Sequence, residues 1–311
     1  MGSFTKPIVW REKERLDDRI ADCLTIILRT RGCRWDSCYM CGYTNDAYPA
    51  TRDELIQQID MALEEGGAEV VKIFTSGSFF DDAEVPMEVR AYLRDRIRDM
   101  GAKKLIVESR PEFVEKERLD DFKGVNLEVG IGLETADDEI RELCINKGFS
   151  FEDFVRATET LKEMGFRAKC YLLLKPPFLS EREAIEDAVK SIKAVKNYAD
   201  VVSLNLTNVQ KGTLVEKLWR AKLYRPPWLW SAVEVLKKAK DVGVEILCDP
   251  VAAGKKRGPH NCGKCDADVS KAIREFSLTQ DAKKLEDIKC ECILKWGKVL
   301  ELESYSRIPL L

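Results

Sequence analysis

Histidine is almost missing from this chain: His260 is the one imidazole in 311 residues. That excludes a histidine-rich metal site and nearly excludes catalysis by a Ser/His/Asp or Cys/His pair, because each needs a histidine beside its nucleophile. Long apolar runs are missing too. No stretch approaches the length that spans a bilayer, and residues 1–13 lack the apolar core of a secretion signal, so a cytoplasmic protein with no membrane anchor is expected. Nor does one charge dominate, with 51 Lys and Arg against 54 Asp and Glu for a net of -3. No basic field covers the whole surface, which weakens, without excluding, an RNA substrate.

Cysteine, by contrast, is plentiful. Eleven of them, an odd number in an expected reducing compartment, read as metal ligands plus a few buried thiols rather than as a disulfide framework. The stretch 25–43 organises the rest: a short β-branched run stops at Arg31-Gly32 and is followed at once by Cys33, Cys38 and Cys41, a buried strand feeding a cysteine loop. Three thiolates at Cys-x4-Cys-x2-Cys can face one point, and three is one short of the set that closes a structural zinc or an electron-transfer iron–sulfur centre. One position is therefore left for a ligand. Two readings stay open, an iron–sulfur cluster with an open iron and a zinc knuckle that borrows a distant fourth cysteine.

Beyond the cysteine loop one unit repeats. Thr51 caps a helix in which Glu54 completes a capping box, Leu55, Ile59, Ala62 and Leu63 share a face, and Gly66-Gly67 ends the run. A buried strand over 70–74 follows. The same pattern predicts helices over 86–100, 112–122, 150–165, 180–196 and 228–242, and strands over 104–107, 127–131, 167–174, 201–206 and 244–247. With the strand entering the cysteine loop, seven strands alternate with helices, which implies a parallel sheet with helices outside. The expected fold is α/β: a partial, TIM-like (β/α) barrel of six or seven units over 21–250, an N-terminal extension over 1–20 and a small cysteine-containing, helical cap over 251–311.

In such barrels ligands sit at the C-terminal ends of the strands. Here those ends are polar: Thr75-Ser76-Gly77-Ser78, then Glu108-Ser109-Arg110-Pro111-Glu112, Gly130-Ile131-Gly132-Leu133-Glu134-Thr135, Lys175-Pro176-Pro177 and Asn205-Leu206-Thr207-Asn208-Val209-Gln210. The small residues of the first let backbone groups approach a ligand. Each has a plainer reading as well, as a turn, a structural Glu108 and Arg110 ion pair, or a strand stop. Their shared place at a barrel mouth is what marks them. Arg29 and Arg31, beside the cysteine loop, suit either an anion or solvent.

The cysteine loop, with its Cys38-Tyr39-Met40-Cys41-Gly42 ending, resembles that of the radical S-adenosylmethionine (SAM) superfamily, its first gap one residue longer than usual. The Glu108 to Glu112 stretch is similar to Glu-Thr-Arg-Pro-Asp of the Elongator catalytic subunit, and Gly130 to Thr135 followed by Asp137-Asp138 is similar to the fourth-strand signature of that wider group. Closer still, Val9-Trp10-Arg11-Glu12-Lys13-Glu14-Arg15-Leu16-Asp17, Leu28-Arg29-Thr30-Arg31-Gly32-Cys33, Tyr224-Arg225-Pro226-Pro227-Trp228-Leu229-Trp230 and His260-Asn261-Cys262-Gly263-Lys264-Cys265-Asp266 resemble the radical SAM archaeosine synthases of archaea, nearly end to end. The resemblance implies a 4Fe-4S cluster on Cys33, Cys38 and Cys41, with SAM on its open iron. It implies SAM contacts from Thr75, Ser76, Gly77 and Ser78, where the superfamily carries a Gly-Gly-Glu-like stretch, and from Glu108, Arg110, Glu134 and Lys175.

The same resemblance implies a lyase-type tRNA-modifying enzyme. A partner subunit first attaches lysine to a nitrile-bearing deazaguanine in the D-loop. The cluster, fed by a reductant protein, splits SAM into methionine and a 5′-deoxyadenosyl radical, which removes hydrogen from the carbon next to nitrogen. The carbon–nitrogen bond of the lysine side chain then breaks, leaving the formamidine of archaeosine.

A second cysteine set, Cys262-x2-Cys265 and Cys290-x-Cys292, stands near the C-terminus. Four thiols close a tetrahedral site, so structural zinc is the first reading. An auxiliary iron–sulfur cluster, giving a radical enzyme another electron path, is the second, and free thiols in a helical cap the third. His260 and Cys248 are spare ligands, and Cys23, Cys144 and Cys170 read as buried packing thiols. For RNA the candidates are Lys255-Lys256-Arg257, and Lys211, Lys217, Arg220, Lys222 and Arg225 interleaved with Trp219, Tyr224, Trp228 and Trp230. That mixture suits phosphate contact and base stacking, while a Trp-rich helix start equally suits core or, as favoured for a near-neutral chain, a partner interface. Two other functions stay open: an Elongator-like radical SAM RNA modifier, for which no acetyltransferase-like stretch is evident, and a non-catalytic zinc-stapled scaffold.

Overall fold

The computed structural model describes residues 5–306 and 308–310. Residues 1–4 of the expected N-terminal extension and residues 307 and 311 of the expected C-terminal segment lie outside the described residues. The chain divides into two compact units. One comprises the described residues up to Asp36 with Tyr43–Gly132 and Glu152–Lys169; the other comprises Ser37–Gly42, Leu133–Phe151 and the chain from Cys170 onward.

Eight strands form one sheet in sequence order: β1 (Ile8–Leu16), β2 (Arg19–Ile27), β3 (Val70–Phe74), β4 (Lys104–Glu108), β5 (Leu127–Glu134), β6 (Arg167–Leu174), β7 (Val201–Leu206) and β8 (Glu245–Leu247). The helices are α1 (Arg52–Leu63), α2 (Met87–Asp99), α3 (Lys116–Leu119), α4 (Asp138–Ile140), α5 (Phe151–Glu163), α6 (Glu181–Val195), α7 (Leu214–Arg220), α8 (Leu229–Ala239), α9 (Asp266–Thr279) and α10 (Cys292–Ser306). All seven strands expected from the apolar runs are present, and an eighth precedes them.

In the first unit β2, β3, β4 and β5 pair in parallel, with Cys23 opposite Val70, Val70 opposite Lys104 and Leu105 opposite Leu127. Cys23, Leu24, Ile26, Val70, Val71, Ile73, Leu105 and Val107 are buried, which is why these strands read as unbroken apolar runs. The capping box on α1 forms as expected: Thr51 Oγ1 accepts the Glu54 N–H, and the Glu54 carboxylate accepts the Thr51 N–H. Such a cap is worth about 1 kcal/mol.

The extra strand, β1, runs antiparallel to β2 from a two-residue turn, with Leu16 opposite Arg19 and Asp17 in the left-handed region at φ 53°. Its inner face carries two carboxylates, Glu12 and Glu14, before the buried Leu16. Glu12 and Glu14 meet the Lys72 ammonium on β3, Glu12 at 2.8 Å, and Thr25 Oγ1 donates to Glu12 at 2.7 Å. Further along the sheet Glu128 on β5 meets Lys104 at 2.7 Å and Lys169 at 2.8 Å. Burial alone would raise the Glu128 carboxyl, but the Lys169 and Lys104 ammoniums outweigh it and hold it down at about 2.

Several elements depart from the pattern. The helix expected over 112–122 is broken: 3-10 turns at Pro111–Phe113 and Asp120–Phe122 flank the short α3, because Val114 and Glu115 leave the helical region. In the second unit α4 runs into a π-helical turn, Arg141–Ile145, and Thr213 caps the unforeseen α7. There α8 buries eight of its eleven residues, whereas α10 buries only Val299 and Glu303 of fifteen. Cys23 and Cys170 are fully buried packing thiols; Cys144, on the π turn, is only half-buried.

Candidate functional site

In the first unit Cys33 lies just past β2, on a loop that Gly32 enters at φ 91°. The end of β3 comes up against it. A Cβ at Gly77 would stand 2.6 Å from Cys33 Cα, and Glu84 crowds the same point, so glycine alone leaves room. Buried Glu84 ties these pieces together: one oxygen accepts the Thr30 hydroxyl at 2.6 Å and the other the Ser78 N–H at 2.5 Å. Burial raises its carboxyl, opposed by the hydrogen bonds from Thr30, Ser78 and Thr75. Asp81, also buried, holds the Arg34 guanidinium, which lies over the Phe113 ring, while Arg110 lies over Trp35 at 5.4 Å.

The expected SAM-contacting residues of this unit are neighbours. Thr75 Oγ1 accepts the Gly77 N–H at 3.3 Å, Ser76 Oγ donates to the Tyr43 carbonyl at 3.4 Å, and Ser78 Oγ accepts the Arg110 N–H at 3.0 Å. Arg110 pairs with Glu112, and the Glu108 carbonyl accepts the Phe79 N–H at 2.8 Å. The ends of β3 and β4 are thereby laced to each other and, through Gly77, to Cys33.

In the second unit Cys38 and Cys41 belong to one turn, closed by the Cys41 N–H on the Cys38 carbonyl at 3.2 Å. Tyr39 between them is fixed on both sides. Its N–H donates to the Ile145 carbonyl at 2.9 Å and its carbonyl accepts the Val215 N–H at 3.2 Å. Asn146 Nδ2 donates to the Ser37 carbonyl at 2.8 Å, the Gly42 N–H reaches Gln210 Oε1, and Met40 packs on Val209, Val215 and Tyr224. The π turn and the start of α7 thus position this cysteine pair, consistent with the tendency of π turns to occur at functional sites.

Glu134 and Lys175, at the ends of β5 and β6, both adopt left-handed backbone, φ 69° and 60°. Non-glycine residues there store about 1–3 kcal/mol each and gather at functional sites. Glu134 is paired with Lys147 at 2.7 Å. Lys175 is nearly fully buried, its ammonium 2.6 Å from Glu181 and 3.1 Å from Glu303 on α10.

Also in this unit, Cys262, Cys265, Cys290 and Cys292 converge, with Cys262 and Cys265 sulfurs 3.9 Å apart, Cys262 and Cys290 3.7 Å, and Cys265 and Cys292 3.6 Å. The Lys264 N–H, then that of Cys265, lowers the Cys262 thiol to about 7. Cys248 is buried at 1% exposure and His260 Nδ1 is 2.8 Å from the Gly258 carbonyl; neither belongs to this group of four.

The radical SAM superfamily model matches residues 27–192. The chain is 47% identical over 298 residues to archaeosine synthase subunit beta of Methanosarcina acetivorans, covering 91% of this chain and 86% of that protein. It is 44% identical over 310 residues to archaeosine synthase subunit beta of Thermococcus kodakarensis, covering 94% and 96%. The chain belongs to the archaeosine synthase subunit beta family of radical SAM proteins. Among solved structures, queuine lyase from Clostridium spiroforme, bound to SAM and queuine, is similar with a TM-score of 0.55 at 22% identity, over 76% of this chain and 94% of that one. That likeness concerns the fold, a partial α/β barrel as expected.

For this radical SAM family member, residue patterning alone missed Glu84 and Asp81, the buried carboxylates that hold Thr30, Ser78 and Arg34 around the Cys33 loop. Their signal was the acidic run Asp81-Asp82-Ala83-Glu84 that follows the Thr75–Phe80 stretch beyond β3. The aromatic run is corrected: Tyr224, Trp228 and Trp230 are 4%, 2% and 3% exposed, with Arg225 stacked on Trp228 at 4.2 Å, so they are core and offer no face to a base or a partner. Lys255 and Lys256 remain exposed, whereas Arg257 pairs with Glu216 and lies over Trp219. No described helix is long and apolar enough to cross a membrane.

Proposed function

We propose that this protein is the radical SAM subunit of an archaeosine synthase, cleaving the lysine side chain's carbon–nitrogen bond on a lysine-modified deazaguanine in the tRNA D-loop. The observation that carries the reading is the 47% identity over 91% of the chain to a protein named archaeosine synthase subunit beta. The word beta implies a second subunit, here one that attaches the lysine, and a tRNA substrate puts the work in the cytoplasm. A reductant protein supplies the electron.

Cys33, Cys38 and Cys41 would hold a 4Fe-4S cluster that leaves one iron for SAM, and the pair supplies a 5′-deoxyadenosyl radical able to take hydrogen from carbon. What supports this fit is the donor set, three half-buried thiols, with Gly77 close against Cys33. Thr75, Ser76, Gly77 and Ser78 would offer backbone and hydroxyl groups to SAM, with Glu108, Arg110 and Glu134 as its charged neighbours. Lys175, its ammonium already engaged by Glu181 and Glu303, holds the β6 end in place. The chain's own task is to position the substrate carbon and keep water out. The C-terminal cysteines hold zinc or a second cluster.

The test is anaerobic reconstitution with iron and sulfide, followed by incubation with SAM, reductant and tRNA carrying the lysine-modified base, with nucleosides analysed by mass. Archaeosine and 5′-deoxyadenosine are expected. SAM cleavage with an unchanged nucleoside rejects the archaeosine reading, and absence of SAM cleavage rejects the enzyme.

A further inference from the structure

We infer that Cys262, Cys265, Cys290 and Cys292 hold a single tetrahedral zinc ion rather than an iron–sulfur cluster, and that this ion fixes α10 so that Glu303 completes the buried ion pair of Lys175. The distances decide the first part. Four thiolates at about 2.3 Å from one zinc form a tetrahedron with edges of about 3.8 Å. The sulfur–sulfur distances of 3.9, 3.7 and 3.6 Å straddle that edge, and all four sulfurs lie within 4.8 Å of one another. A 4Fe-4S cluster puts its whole iron and sulfide core between the thiolates and forces them much further apart, and a 2Fe-2S cluster separates its two thiolate pairs across the core.

Side chains around the set donate to sulfur, as they do around metal-bound thiolates. Trp230 Nε1 donates to Cys292 Sγ at 3.1 Å and Asn261 Nδ2 to Cys265 Sγ at 3.4 Å. Asn261 is itself held, its Oδ1 accepting the Trp230 N–H and its N–H donating to Asp266 Oδ1.

The second part rests on how little α10 buries. With Val299 and Glu303 buried and Trp296 and Leu300 half-buried, α10 has little apolar packing to hold it, yet it is fastened at both ends. Cys292, its first residue, is in the cysteine set. Near its end Glu303 accepts the Lys175 ammonium at 3.1 Å and the Glu181 N–H at 2.7 Å. Between them Trp296 Nε1 donates to Ser231 Oγ at 2.8 Å, and Ser231 Oγ donates to Glu181 Oε1 at 2.6 Å. A closed ring of contacts therefore runs from the cysteines through α10 and Lys175 to the start of α8 and back through Trp230 to Cys292. Removing the ion releases one fastening, and the left-handed Lys175 loses a carboxylate that holds it.

This inference stands whether or not the archaeosine reading does. Metal is measured on the full chain reconstituted with iron and sulfide and on the Cys33→Ala/Cys38→Ala/Cys41→Ala variant. About one zinc per chain is expected in both, with iron confined to the full chain. Iron in the triple variant, or no metal there, overturns the zinc assignment. Should that variant not fold, the full chain decides: about four irons beside one zinc supports it, and about eight irons without zinc overturns it. Hydrogen exchange on the full chain, with and without a zinc-selective chelator, tests the role of α10. Amides of 293–306 and 181–184 are expected to exchange at least about tenfold faster once zinc is removed, and Glu303→Gln is expected to keep its zinc while speeding exchange at 181–184. Unchanged exchange overturns the coupling to Lys175.

Discussion

Gly77 decides more than its size suggests. With Cys33 Cα 2.6 Å from where its Cβ would stand and backbone on the crowded side, any side chain there must push the cysteine loop or the β3 end. Gly77→Ala is therefore expected to cut the iron retained after reconstitution to less than about half, while Ser76→Ala, on the half-buried residue beside it, retains it. Iron analysis of the two variants side by side checks this, and equal retention would show the loop to be indifferent to the contact. At this scale the sequence was legible where chemistry is written in spacing. Cys33, Cys38 and Cys41, the four C-terminal cysteines and the small Thr75 to Ser78 run all drew attention by residue type alone, and the fold brings the four C-terminal cysteines together. Glu84 did not, because its function is to accept hydrogen bonds from Thr30 and Ser78, and those partners meet it only in the fold.

Among elements, the parallel strands were readable because burial makes them apolar throughout, and the hidden one, β1, was not because Glu12 and Glu14 break its inner face ahead of Leu16. Charge inside a sheet is tolerated only when it is matched. Lys72 matches β1, and Lys104 with Lys169 matches Glu128. Glu128→Gln removes the shared counter-charge of two buried ammoniums and is expected to cost about 3–5 kcal/mol at neutral pH, read from urea unfolding. The pH dependence has a definite sign. The folded carboxyl sits at about 2 against an ordinary 4.5, so its contribution is complete above pH 4.5 and disappears as pH falls through about 2. The stability gap between wild type and Glu128→Gln should close over that window, and a gap indifferent to acid would mean that the lysines are compensated elsewhere. The Trp228 and Trp230 segment was ambiguous in residue order, since basic residues among aromatics suit a nucleic-acid or partner face and a Trp-rich helix start suits core; burial of both rings at the start of α8 decides for core. Nothing in residue order foretold the π turn at Arg141–Ile145, whose carbonyl at Ile145 receives Tyr39.

For the molecule, an eight-stranded α/β sheet underlies a radical SAM protein of the archaeosine synthase subunit beta family. The family was legible from motifs spread nearly end to end. The chemistry proposed for it makes a single demand, that hydrogen leave the lysine carbon bonded to the linking nitrogen and arrive on the adenosyl fragment of SAM. That demand is met or refused in one measurement: tRNA carrying lysine deuterated at that carbon is turned over, and the 5′-deoxyadenosine is weighed. The account predicts deuterium in the 5′-deoxyadenosine together with archaeosine in the tRNA; unlabelled 5′-deoxyadenosine accompanying archaeosine would contradict it.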